Sequence, residues 1–71
     1  MKYDYTMLKQ KFIEKGLNQS EVAARIGMKK STFSLKMNSI SEFKQSEICT
    51  ICKLLAIPAR KVDAYFFTLV V

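Results

Sequence analysis

Two glycines and one proline are all that punctuate this 71-residue chain. Between Gly16, Gly27 and Pro58, apolar side chains recur three and four positions apart. That spacing lines up one face of an α-helix, whereas a half-buried strand needs strict alternation. Ile48, Ile51, Cys52 and Leu55 form the clearest stripe, at i, i+3, i+4 and i+7. Leu8 and Phe12, with Tyr5, predict a first helix that Asp4 would cap and Gly16 would close. Asn18 with Glu21 three residues on predicts a capping box for a second helix. Its apolar face is Val22, Ala23 and Ile26, and Gly27 ends it after barely two turns. A third helix is expected from near Lys30 to about Asn38, with Phe33 and Met37 as an inner pair. Asn38 to Ser41 is loop chemistry, and a fourth helix follows from about Lys44 to Leu55. Pro58 suits the first position of a fifth helix, whose inner face is Val62, Tyr65 and Phe66. No repeat or linker is visible, so residues 1–71 predict a single all-α domain of five helices.

Composition then narrows the function. There are 12 Lys and Arg against 6 Asp and Glu, a formal charge of +6, and no His. Without His the commonest general base and metal ligand is missing, so neither catalysis nor a metal site is expected. Two glycines are too few for a phosphate loop or a dinucleotide fingerprint, so no cofactor is expected. The carboxylates Asp4, Glu14, Glu21, Glu42, Glu47 and Asp63 show no paired spacing, and no nucleophile has an evident base. The uncharged run Ala64 to Val71 falls far short of the ~20 residues of a membrane span. Met1-Lys2 leads into no apolar run, so no secretory leader and a cytoplasmic location are expected. A small basic domain without catalytic equipment reads as a binder of something anionic.

Cys49 and Cys52 form a C-x-x-C. They stand mid-helix, where no helix dipole lowers a thiol pKa, and no further Cys or His completes a zinc set. Cys52 shares the core face with Ile48 and Leu55, where a free thiol packs as a small hydrophobe.

The informative stretch is Gln19 to Asn38, QSEVAARIGMKKSTFSLKMN. A short helix, a turn containing Gly27 and a second short helix that begins with basic and hydroxyl residues is helix-turn-helix grammar. Ala23 is small enough for two helices to cross closely, and Gly27 tolerates the left-handed backbone of a tight turn. Val22, Ile26, Met28 and Phe33 would close the core between them. Gln19, Val22, Ala23, Ile26, Gly27, Met28, Ser31, Thr32, Phe33, Ser34 and Asn38 resemble the Cro/C1-type, lambda repressor-like helix-turn-helix family. The likeness continues through Glu47-Ile48, Ile51-Cys52, Leu54 to Ile57 and Tyr65-Phe66, and so covers roughly residues 5–67. It is most like small phage-encoded Cro repressors. Lys36 departs from the pattern, since the family usually has an aliphatic residue there. Either Met37 takes over that core contact, or Lys36 buries its stem and offers its ammonium to phosphate. Ala56, where the family often has Gly, is a lesser departure.

The resemblance implies that the motif's second helix lies in a DNA major groove. Lys30, Ser31, Ser34 and Leu35 would then face base edges. Leu35 becomes a core residue instead if that helix is rotated. Gln19, Lys29, Lys36 and Asn38 would contact the phosphate backbone, which sets register and carries no sequence information. The expected protein is a sequence-specific repressor that binds double-stranded DNA as a homodimer on a pseudo-palindromic operator. At this length it has no room for a ligand-sensing domain, and no small-molecule ligand is expected. The uncharged segment Phe66 to Val71 either folds back over its own domain or covers a second copy. The competing expectation is a protein-interaction module (an antitoxin, antirepressor or excision cofactor) that acts mainly through a protein partner.

Overall fold

The computed structural model describes residues 2–70, so Val71, the last residue of the tail, lies outside the described residues. Five α-helices follow one another: α1 Thr6–Glu14, α2 Gln19–Arg25, α3 Lys30–Met37, α4 Gln45–Leu55 and α5 Val62–Phe66. A 3₁₀ turn at Ala59–Lys61 leads into α5. Among the described residues the only extended pairing is one antiparallel bridge, Tyr3 to Leu69. The protein is all-helical, and among the described residues no helix is long and apolar enough to cross a membrane.

Helix ends follow from local chemistry. Asn18 Oδ1 accepts from the Glu21 N–H at 2.8 Å and Glu21 Oε1 accepts from the Asn18 N–H at 3.1 Å, which completes the capping box at α2. Gly27 has φ +73°, and a Cβ there would meet nothing within 4 Å. Glycine is needed at that position for its backbone conformation and not for space. Asp4 acts one residue off the expected cap. Tyr5 precedes the first helical residue, and Asp4 Oδ1 accepts from the Thr6 N–H at 2.8 Å and the Thr6 hydroxyl at 2.6 Å. Pro58 likewise stands just before the 3₁₀ turn rather than inside a helix.

Leu8, Val22, Ile51, Leu55, Phe33 and Phe66 are the largest fully buried side chains. α2 packs closely on α3, and α1 on α5. Ala23 of α2 is buried, as expected of a small residue on the inner face of that helix. Ile26 and Met28 are half-buried against the same core. The aromatic rings form a connected set. Phe33 of α3 lies 6.2 Å from Phe12 of α1 and 6.0 Å from Phe43 of the α3–α4 loop. Phe43 meets Tyr5 and Phe66 edge-on, each at 5.5 Å between centroids. Cys52 is buried and Cys49 exposed, both free thiols. Burial pushes the Cys52 thiol above its ordinary value.

α4 ends on Ala56, whose φ of 56° is left-handed. An L side chain is strained in that conformation, by roughly 1–2 kcal/mol against glycine. Ala56→Gly is therefore expected to stabilise the fold by about 1 kcal/mol after the added chain entropy of glycine is subtracted. Urea denaturation would read this as a higher midpoint with an unchanged slope.

Candidate functional site

α3 carries no acidic residue, and its burial is one-sided. Phe33, Lys36 and Met37 point inward, while Lys30, Ser31 and Leu35 are exposed. Successive helical residues are about 100° apart, so Leu35 lies on the side of Lys36 away from Phe33 and Met37, outside the arc that the three inward residues define. Leu35 is 46% exposed, which places it on the outer face and excludes its reading as a core residue. Lys29 immediately precedes α3 with an extended backbone and is exposed. Ser34 is half-buried. Asn38 closes the helix, its Nδ2 donating to the Ser34 carbonyl at 2.9 Å and more weakly to the Ser34 hydroxyl at 3.4 Å. One face of α3 and the residue before it thus gather Lys29, Lys30, Ser31, Ser34, Leu35 and Asn38. Gln19 lies apart from them in sequence, as the first residue of α2, and is half-buried.

Lys36 differs from the expectation that it offers its ammonium outward. It is 6% exposed, the one buried charged residue among the described ones. Its Nζ lies 2.6 Å from Glu47 Oε1 on α4. The same oxygen accepts from the Lys44 N–H at 2.7 Å, at the N-terminus of α4. A buried charge is tolerated only when it is paired and hydrogen-bonded, and Glu47 meets both conditions. Nothing near Glu47 in the sequence marks it as the partner of Lys36, eleven residues away. The available signal was Lys36 itself: a cation three residues after Phe33 and beside Met37 stands on an apolar face and needs a counter-ion.

One other cation is engaged elsewhere. Lys11 pairs with Glu14 at 2.9 Å and lies over the Tyr65 ring at 5.8 Å. No group of His, Cys, Asp or Glu among the described residues could hold a metal ion.

Residues 1–69 match the model of a family described as "Protein of unknown function (DUF739)". The chain belongs to that family. No protein with a curated description matches it.

The Lys36–Glu47 contact sets a pH dependence. Burial raises the Glu47 carboxyl pKa, but the hydrogen bonds from Lys36 and the Lys44 N–H outweigh burial and hold it below its ordinary 4.5. A carboxyl whose folded pKa is lowered contributes stability above its unfolded value and loses it as pH falls through the folded one. Stability should therefore decline below about pH 4.5, and Glu47→Gln should shallow that decline. Asp4 and Glu14 are also lowered, but both are fully exposed and their share is screened. Losing one partner of a fully buried pair costs roughly 3–5 kcal/mol. The Glu47 side chain keeps 20% exposure, so about 2 kcal/mol is expected for Glu47→Gln at neutral pH, read from urea denaturation.

Proposed function

We propose that this protein is a lambda repressor-like helix-turn-helix regulator that reads double-stranded DNA with α3 as a homodimer. The observation that carries the reading is the outer face of α3. In a chain of charge +6 it sets Lys30, Ser31 and Leu35 outward beside Lys29, with no carboxylate on the helix. Phe33 and Met37 hold the opposite face in the core. A helix anchored in that way can enter a major groove, where bases are distinguishable by their donors, acceptors and methyl groups. In this reading Lys30 donates to guanine O6 and N7, Ser31 and Ser34 reach either kind of base, and Leu35 meets a thymine methyl. Lys29, Gln19 and the free part of the Asn38 amide face phosphates.

The tail supports self-association. It folds back in part, since the Asp4 N–H donates to the Thr68 carbonyl at 2.6 Å and the Val70 N–H to the Lys2 carbonyl at 3.1 Å. Even so, Phe67, Leu69 and Val70 are 51%, 45% and 58% exposed. Phe67 also borders an apolar groove of about 800 Å³ with Ile48, Cys52, Ile57 and Val62. The segment Ala64 to Val70 is uncharged, so two cationic chains can meet there without bringing like charges together. Two copies would set their α3 helices in successive major grooves about 34 Å apart, on a pseudo-palindrome.

Selection of bound sites from random duplex DNA tests the reading directly and should return a pseudo-palindrome. If about 6–10 phosphates are neutralised, log K should fall against log salt with a slope of roughly −5 to −9. Lys30→Ala should relax the preference at one base position at a cost of about 1–3 kcal/mol, while Lys29→Ala weakens all sequences alike. Identical behaviour of the two variants would show that the wrong face of α3 has been assigned to the bases. For the dimer, deletion of residues 69–71 should shift sedimentation from dimer towards monomer. An unchanged mass would remove the tail from the interface. Absence of duplex binding together with stoichiometric capture of an unrelated protein would favour the protein-interaction reading, with the same apolar tail as its site.

A further inference from the structure

We propose that the Lys36–Glu47 pair is the joint that sets the rotation of α3, which makes Glu47 a specificity-determining positioning residue that touches no DNA. The inference rests on the DNA-reading role proposed for α3.

A buried ion pair adds little to stability when compared with apolar residues of similar volume. What it decides is which side chain of α3 goes inward, because a lysine at position 36 stays buried only while Glu47 answers its charge. The Lys36 ammonium has one carboxylate oxygen to reach, at 2.6 Å, and that oxygen is held in place by the Lys44 N–H at 2.7 Å. The end of α3 is therefore tied to a particular point at the start of α4. The intervening loop is short and closes on the same helix end. The Ser39 N–H donates to the Lys36 carbonyl at 3.1 Å and the Ile40 N–H to the Leu35 carbonyl at 2.9 Å.

The rotation matters because of what lies next to Lys36. Leu35 is exposed and Lys36 buried, one helical step apart. If Lys36 had no counter-ion it would leave the interior, and α3 would turn towards burying Leu35. The outward set built on Lys30, Ser31, Ser34 and Leu35 would then be aimed differently. Phe33, near Phe12 and Phe43, holds α3 on the core, but Met37 on one side of it is a flexible, adaptable side chain, so the turn of the helix about Phe33 is left to Lys36 on the other side.

The pair also makes an asymmetric prediction. Glu47→Gln leaves a buried ammonium without a charge partner. Lys36→Met leaves a carboxylate that is partly exposed and still bonded to the Lys44 N–H, and it puts an apolar side chain in an apolar place. The double variant removes both charges and keeps the volume. Glu47→Gln should therefore be the most disruptive of the three, and Lys36→Met on top of it should rescue.

The test measures selectivity, as the ratio of affinities for the selected duplex and a scrambled one, together with the salt slope. Both are measured at a temperature where circular dichroism shows each variant folded. Glu47→Gln should lower selectivity about tenfold, comparable to one mismatched base pair. The double variant should return to within about threefold of the parent, and Lys36→Met should leave the salt slope unchanged to within about half a unit. The proposal is overturned if Glu47→Gln tightens binding to every sequence and Lys36→Met lowers the slope by about one, since Lys36 is then a phosphate contact. It is equally overturned if the double variant is as unselective as Glu47→Gln. Amide spectra of the free protein keep the two readings separate. The peaks of Lys30 to Leu35 should move in Glu47→Gln and return in the double variant, whatever the chain binds. If the parent binds no duplex while the spectra behave in this way, the DNA reading fails and the joint stands. Without that return, the joint itself fails.

Discussion

The ring of Phe43 is the contact on which the rest of the arrangement depends. It stands in the loop between α3 and α4, edge-on to Tyr5 and Phe66 at 5.5 Å and near Phe33 at 6.0 Å. Through these three rings it joins the segment before α1, the last helix and the core side of α3. Edge-to-face pairs add about 0.5–1.5 kcal/mol each beyond the area they bury. In a domain this small that is a large share, because few residues are fully enclosed and net stability is only a few kcal/mol. The rings also have shape, so they constrain how the helices meet as well as holding them together. Phe33 continues the chain of contacts to Phe12, which ties α1 to α3 by the same chemistry.

Charge is distributed with the same economy. Of the 12 cations, Lys36 alone is buried, and it is the one with a carboxylate brought to it from another helix. Lys29 and Lys30 remain exposed at the start of α3. Two neighbouring parts of one eight-residue helix thus use lysine for opposite purposes. The exposed lysines put positive charge at the surface, and the inner one is matched by Glu47. The apolar surface is divided in a similar way. Most of it is enclosed, while Phe67, Leu69 and Val70 stay at the surface although the backbone of the tail is tied to Asp4 at Thr68 and to Lys2 at Val70.

Much of the fold could be read in advance because its causes are local. The Asn18–Glu21 box, the left-handed turn at Gly27 and the stripe Ile48, Ile51, Cys52, Leu55 each depend on residues within a few positions of one another. Where expectation and structure differ at helix ends, the difference is about one residue, except that α5 begins at Val62, four residues after Pro58. Asp4 holds the Thr6 N–H and not the first-turn amides beyond it, and Pro58 precedes a 3₁₀ turn. Lys36 was legible only as an anomaly. Its spacing from Phe33 placed it on the inner face, but the choice between snorkelling outward and pairing inward depended on Glu47, eleven residues on. The tail was similarly open. Its composition pointed to burial somewhere, and its pairing with Lys2 and Asp4 joins the two ends of the chain, which no short-range pattern reveals.

The sequence by itself determined that this chain is all-helical, where most of its helices start and stop, and that it carries a net charge of +6. Those properties follow from spacing, capping and composition, which act over a few residues or not through space at all. Only the tertiary structure decided which lysine is withdrawn and which side of α3 is offered to solvent. It also decided how much of the apolar tail stays uncovered. The reason is physical. The fate of a charge or of an apolar side chain depends on what lies within a few ångströms of it, and the Glu47 oxygen 2.6 Å from Lys36 arrives there only when α4 packs beside α3.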